Sequence, residues 1–248
     1  MADADEENHA GMKSPSVAWK FYAAGLSVVC LLGDSFSLVR ASQPATLETP
    51  LVIAPGSKQV TLYGVIYPDR FNRAEGDEAH YHLLTWKGGH SNNALIETPV
   101  DDLAFHDALI KIGGRPGNTL PMEAWTQRTD PDNPASQQKA RGSRFAVFLS
   151  WQDEPKRLPI HHIFRSSPSD PQLPAWSFEG NRDRWFNHVP FALRPGCLVC
   201  LYSCPSGKLS NGRLSIADYM ARPGWFQADT ERLPPDHTPV QITFELLP

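Results

Sequence analysis

Apolar and polar side chains alternate with a period of two along several stretches, the mark of strands that turn one face to a core. From Gln59 to Tyr67, Val60, Leu62 and Ile66 alternate with Thr61, Tyr63 and Val65; Leu51-Val52-Ile53-Ala54 and a Pro55-Gly56 turn precede them. Together they predict a β-hairpin. The same alternation predicts strands at Arg144 to Trp151, through Phe145, Val147 and Leu149, and at Gln241 to Leu247. Shorter apolar runs add strands at His80 to Trp86, Ala94 to Thr98, Ile160 to Phe164, Trp176 to Phe178 and Cys197 to Tyr202, with Lys87-Gly88-Gly89 turning the chain between the first two. One segment has a helical period instead. Asp101-Asp102 offer capping carboxylates, Leu103, His106, Leu109 and Ile110 recur at helical spacing, and Gly113-Gly114 end the run. The expected fold class is α+β: a single domain on a mostly antiparallel sheet of short strands, with one main helix and long Pro-rich loops.

The loops follow from the prolines, 23 in all, which cluster between residues 116 and 195. Residues 127 to 143 are polar and read as an exposed connection. Phe178-Glu179-Gly180-Asn181 predicts a tight turn, where Gly180 can take a positive φ and Asn181 can bond the backbone; a binding role for Asn181 and Arg182 is secondary.

An uncharged run from Phe21 to Gly33 follows Lys13 and Lys20 and precedes Asp34. It is shorter than the roughly 20 apolar residues a bilayer span needs. With small side chains at Val39 and Ala41 of Val39-Arg40-Ala41 it has the form of a secretory signal, 1–41, and Met12-Lys13 suits the start of such a signal better than the acidic residues before it. The alternatives are an uncleaved anchor and a buried helix. Cleavage leaves a domain over 42–248 with no transmembrane segment, in the periplasm or outside the cell. Charge adds an exclusion: 23 Lys and Arg against 27 Asp and Glu give no basic excess to draw the chain onto nucleic acid.

Candidate chemistry concentrates in Gly196-Cys197-Leu198-Val199-Cys200-Leu201-Tyr202-Ser203-Cys204-Pro205, which holds three of the four cysteines in the chain. Signal cleavage removes Cys30 and leaves an odd number of thiols, so one stays free, one bridges two molecules, or all three bind something. The spacing C-x2-C-x3-C-P matches the last three cysteines and the proline of a bacterial ferredoxin motif, but Arg194 stands where the first cysteine belongs. Zinc needs less, since three cysteines and one histidine complete a tetrahedral site. His82, His106, His161 and His188 are the candidate fourth ligands. A disulfide between two of the thiols, with the third buried, is the blander outcome in an oxidising compartment, and a low-pKa exchanging thiol is a further one.

The remaining titratable residues have ordinary explanations beside the functional ones. His80 and His82 share a strand face and so either grip a metal together or meet solvent; His106 lies on the apolar stripe of its helix and reads as a core histidine before it reads as a ligand. Asp101 and Asp102 are helix caps first and catalytic carboxylates second. No Ser-His-Asp order, nucleophile elbow, phosphate loop or HExxH motif is present, which puts a hydrolase last.

Several of these segments together carry a resemblance: His82-Leu83-Leu84, the run from Ala94 through His106-Asp107-Ala108-Leu109 to Gly113-Gly114-Arg115-Pro116-Gly117-Asn118, then Phe178-Glu179-Gly180-Asn181, and above all the cysteine segment. Over roughly residues 50 to 215 the chain resembles the YdjY-type family of exported bacterial proteins, some of whose members are labelled ferredoxin-like. The resemblance implies a [4Fe-4S] cluster and electron transfer. The reading is therefore an exported metal- or iron–sulfur-binding redox accessory protein centred on Cys197, Cys200 and Cys204, with His82 or His106 as added metal ligands and a redox or envelope protein as partner. A non-catalytic binding or assembly module held by a disulfide stands beside it, and the cofactor is a [4Fe-4S] cluster, zinc or none.

Overall fold

A computed structural model describes residues 44–165, 175–181 and 194–248. The expected signal segment, Cys30, Arg182 and His188 lie outside the described residues. No described helix is long and apolar enough to cross a membrane.

The hairpin forms as its alternation predicts. Strands β1 (Leu51–Ala54) and β2 (Gln59–Ile66) pair antiparallel around a 3-10 turn at Pro55–Ser57, with Lys58 at φ 53° closing it. From β2 the sheet runs through β10 (Thr238–Leu246), β5 (Arg144–Trp151), β7 (Trp176–Phe178), β9 (Leu209–Asn211), β8 (Cys197–Cys200), β3 (His82–Trp86) and β4 (Ile96–Thr98). β4 then pairs back onto β2, so eight strands close into a barrel. Strand β1 extends one flank of β2, and β6 (Glu154–Pro159) pairs with β5 outside the ring.

The register explains why this wall holds. Ile242 of β10 lies opposite both Leu62 of β2 and Leu149 of β5, and Phe244 lies opposite both Val60 and Val147. All six are buried. Each row thus packs three apolar side chains across neighbouring strands, and such cross-strand contacts are the unit of sheet stabilisation. Helix α2 (Asp102–Lys111) adds to the same core, with the Phe105 ring 4.8 Å from that of Phe244.

The expected α+β fold, an open, mostly antiparallel sheet around one main helix, is overturned. The barrel is closed and mixed, with parallel pairs at β3–β4 and β8–β9, and among the described residues four short helices accompany it: α1 (Pro68–Asn72), α2, α3 (Glu123–Thr126) and α4 (Ile216–Ala221). The physical reason is edge protection. Strands of three residues such as β4, β7 and β9 gain little alone, and closure pairs hydrogen-bonding edges that an open sheet would expose. Smaller departures follow the same lines. The chain does turn after Lys87-Gly88-Gly89, but it comes back with β4 parallel to β3, and Leu95 N–H donates to the His82 carbonyl. Ile160–Ile163 is a 3-10 turn instead of a strand. Ile110, expected on the apolar stripe of α2, is exposed, while Phe105 and Ala108 take the buried face.

Candidate metal centre

Strand β8 is apolar throughout and buried at every position because β3 covers one edge and β9 the other. Residues three apart on a regular strand face opposite ways. Cys197 and Cys200 nevertheless converge, because the β3–β8 pairing is irregular: His82 lies opposite Cys200, Leu84 opposite Val199, and Thr85 opposite Cys197. A bulge of this kind re-aims side chains and is a recurrent device beside functional sites. The result is that one nitrogen of His82 and the sulfur atoms of Cys197 and Cys200 all lie within 4.8 Å of one another. His82 is 2% exposed, Cys197 2% and Cys200 0%.

Two glycines bring the next element over the sulfur atoms. Gly196 takes φ 75°, and a Cβ there would stand 2.8 Å from the Gly89 Cα. With no side chain at either residue, the loop after β3 crosses close to the start of β8, and the Ser91 amide donates to the Pro195 carbonyl at 2.8 Å. Ser91 Oγ is thereby 3.1 Å from Cys197 Sγ. On the opposite side of the imidazole, His82 Nε2 lies 3.2 Å from Glu78 Oε2. The donated Nε2–H leaves the lone pair on Nδ1, and that atom faces Cys200 Sγ at 3.5 Å. Glu78 itself has a left-handed backbone, φ 66°, as does His80 at φ 56°. Non-glycine residues in that region are costly and cluster at functional sites.

The thiols divide their protons unequally. Hydrogen bonds donated by Cys200 and Cys204 draw the Cys197 pKa well below the ordinary thiol value, and Ser91 adds to them against the cost of burial. Burial pushes Cys200 well above that value, and its donated hydrogen bond to Cys197 adds to the rise. Cys204 is pushed up to about 12, first by burial and then by its hydrogen bond to Cys197. The segment therefore presents one thiolate-prone sulfur supported by two thiols. None of the three is in a disulfide.

The other expected site residues are dispersed. Cys204 touches Cys197 and Cys200 but lies outside the convergent group of three. His106 is on α2, its Nδ1 3.0 Å from Asp107 Oδ1 and its ring 5.2 Å from that of Phe178. His161 stacks edge-on with His162 in the 3-10 turn. His80 packs on Phe71 and sits before β3, not on it, so it does not share a face with His82. Gly180 takes φ 72° as the tight turn requires, and Asn181 Nδ2 donates to the Cys204 carbonyl at 3.3 Å, which makes Asn181 a brace for the cysteine segment.

Three features escaped the sequence reading. Ser91 and Glu78 lie remote from the cysteines in the chain, and no local pattern marks them. Asp102, expected to be a cap, is fully buried with Oδ1 3.1 Å from Arg194 Nη1 and Oδ2 3.1 Å from Lys208 Nζ. The third is a cavity of about 150 Å³ over the sulfur atoms. His82, Cys197 and Cys204 face it, and Tyr81, Met122, Trp125 and Pro205 are among its walls.

The donor set can be tested against what it would hold. A tetrahedral ion with bonds of about 2.3 Å to sulfur and about 2.1 Å to nitrogen sets those two atoms about 3.6 Å apart. The observed Sγ–Nδ1 distance of 3.5 Å matches. A [4Fe-4S] cluster places each thiolate on a separate iron and takes four. The described residues hold three cysteines, and donors within 4.8 Å of one another suit a single ion better than a cube of irons and sulfides.

Fold and site together define a small closed β-barrel with a buried thiol–imidazole group able to hold a metal ion. The family model for the YdjY domain matches residues 51–245, and the chain belongs to that family. It is 25% identical over 239 residues to the uncharacterized protein YdjY of Escherichia coli (strain K12), covering 93% of this chain and 97% of that protein. No solved structure matches.

Proposed function

We propose that this protein is an exported metal-binding protein that holds one soft divalent ion through His82, Cys197 and Cys200, with Cys204 beside them, and serves as a redox accessory to an envelope protein. The observation that carries the reading is the convergence of imidazole and thiol donors on one buried point, since three buried polar groups with metal-ligand chemistry do not meet there by alternation alone. Zinc and iron both accept this donor set, and iron adds one-electron chemistry. The backbone supports the same reading: a bulge and two glycines shape the chain around the sulfur atoms, and Glu78 fixes the imidazole tautomer.

Metal analysis of anaerobically purified protein tests it. One ion per chain is expected, with stoichiometry lost in both Cys197→Ser and Cys200→Ser and kept in His106→Ala. A metal-free chain with a single titratable thiol under denaturation would instead establish a disulfide and a binding or assembly module.

A further inference from the structure

We infer that Cys197 and Cys204 form a dithiol pair that a small hydroperoxide, entering through the adjoining cavity, oxidises to a disulfide while Cys200 stays a thiol. The bond takes Cys197 out of the thiol–imidazole group. Release of an ion in consequence rests on the metal-binding reading above; the oxidation itself does not. All three cysteines are reduced in this structure, and both Cys200 and Cys204 hydrogen-bond to Cys197, so proximity alone does not choose the pair. The backbone does. Cys197 and Cys200 lie three residues apart on one strand, about 10 Å at the usual rise, and a disulfide needs its Cα atoms within about 7 Å. Bridging them means breaking β8, which pairs along both edges. Cys204 belongs to a different segment. After β8 the chain turns back, with the Gly207 amide donating to the Cys204 carbonyl and the Lys208 amide to the Leu198 carbonyl, each at 3.1 Å. That return sets Cys204 against Cys197 across a turn and not along a strand.

Access makes the same choice. Cys197 and Cys204 both line the cavity, and Cys200 does not. Each of the two is almost wholly buried, so a reagent reaches them from the cavity. Glu78, Ser91, Met122, Trp125 and Pro195 on its lining are only half-buried, which places its mouth among them. A cavity of about 150 Å³ accepts a molecule as large as benzene, so hydrogen peroxide enters this one with room to spare. The chemistry balances with the peroxide alone. The Cys197 sulfur attacks one peroxide oxygen, the O–O bond breaks, and the other oxygen departs as water with the thiol proton, leaving a sulfenic acid. Ser91 Oγ, 3.1 Å from Cys197 Sγ, is placed to donate a hydrogen bond to that departing oxygen. The Cys204 sulfur then attacks Cys197 Sγ, its proton leaves with the hydroxyl as a second water, and the S–S bond forms. Two thiols lose two electrons, and the peroxide gains them.

The test treats the full chain, purified anaerobically and freed of metal by a chelator, with hydrogen peroxide; remaining thiols are then alkylated under denaturation and located by mass spectrometry. Cys200 should be the one alkylated cysteine of the described domain, and dithiothreitol should restore the other two. Cys200→Ser should still form the bond. Cys204→Ser should stop at a sulfenic acid on Cys197 that dimedone traps. Met122→Trp fills the cavity from the start of α3 and should slow the oxidation about tenfold or more, since susceptibility follows access. In the zinc-loaded chain one zinc should leave for each disulfide formed. Alkylation at Cys197 or Cys204 after oxidation would overturn the pairing, and an unchanged rate in Met122→Trp would overturn the cavity as the route. Zinc retained after the bond has formed would sink the metal reading and leave the oxidation standing. A chain that binds zinc but keeps all three thiols through peroxide treatment would do the reverse.

Discussion

Two buried polar groups flank β8, and they differ in what they leave open. Asp102 meets Arg194 on one oxygen and Lys208 on the other, each at 3.1 Å, and all three side chains are almost wholly buried. The thiol–imidazole group is buried as deeply, yet His82 and Cys197 border a cavity, with Cys204 beside them. The ions bind one another and tie α2 to the two ends of the cysteine segment. The thiols hydrogen-bond one another and carry sulfur lone pairs that a ligand ion could share. Burial alone therefore does not distinguish a staple from a site; complementarity of the partners does.

The sharpest way to break the comparison is to remove Asp102. Deleting one member of a buried ion pair leaves charge uncompensated and costs about 3–5 kcal/mol. Asp102→Ala should show that loss in urea unfolding, with metal binding reduced only by the unfolded fraction. A loss under 1 kcal/mol would show that Arg194 and Lys208 are held by other means. The corresponding change at the thiol group should act on affinity instead. Glu78→Gln keeps the shape but weakens the acceptor that orients His82, and such outer partners change metal affinity about 10- to 100-fold. A competition titration should find that decrease with little change in the unfolding midpoint.

Glu179 tests the region between the two groups, with a smaller effect. It is fully buried, accepts a hydrogen bond from Ser210 Oγ, and has its pKa driven well above the carboxylate range by burial first and by the nearby Cys204 second. In the unfolded chain this group ionises near pH 4.3, about the ordinary value for glutamate. Its contribution is thus fully present below that pH. Above it the unfolded state binds fewer protons than the folded one, so stability falls as pH rises until Glu179 itself ionises. Glu179→Gln should flatten that slope by roughly 1 kcal/mol per pH unit within the window. An unchanged pH profile would place the proton elsewhere.

How much of this was legible beforehand varies with the range of the interaction. Alternation located β2 and β5 closely and most of β10, and short apolar runs placed β1 and β7, because these signals are written in consecutive residues. Closure of the barrel was not legible, since the pairings of β4 with β2 and of β8 with β9 depend on distant segments whose short strands carry almost no register information. The cysteines announced the site by their density, and His82 stood among the candidates. Their convergence was not derivable, because a regular strand would have separated Cys197 from Cys200 and only the bulge against β3 reunites them. Ser91 and the glycine crossing at Gly89 and Gly196 arise from a contact between chain segments about a hundred residues apart.

The finest form of the comparison lies in two adjacent identical side chains. Asp101 was expected to cap α2 and does: its Oδ1 accepts from the amides of Leu103 at 2.8 Å and Ala104 at 2.9 Å. Its carboxylate remains near solvent, so water replaces much of what a truncation removes, and cap deletions typically cost about 1 kcal/mol. Asp102 begins the helix proper and points inward, where no water can substitute for its oxygens. Asp101→Ala should therefore lower stability by about 1 kcal/mol, several times less than Asp102→Ala, with metal affinity unaffected. Equal losses in urea unfolding would mean that the helix terminus, and not the buried charge, governs how α2 is fastened to the cysteine strand.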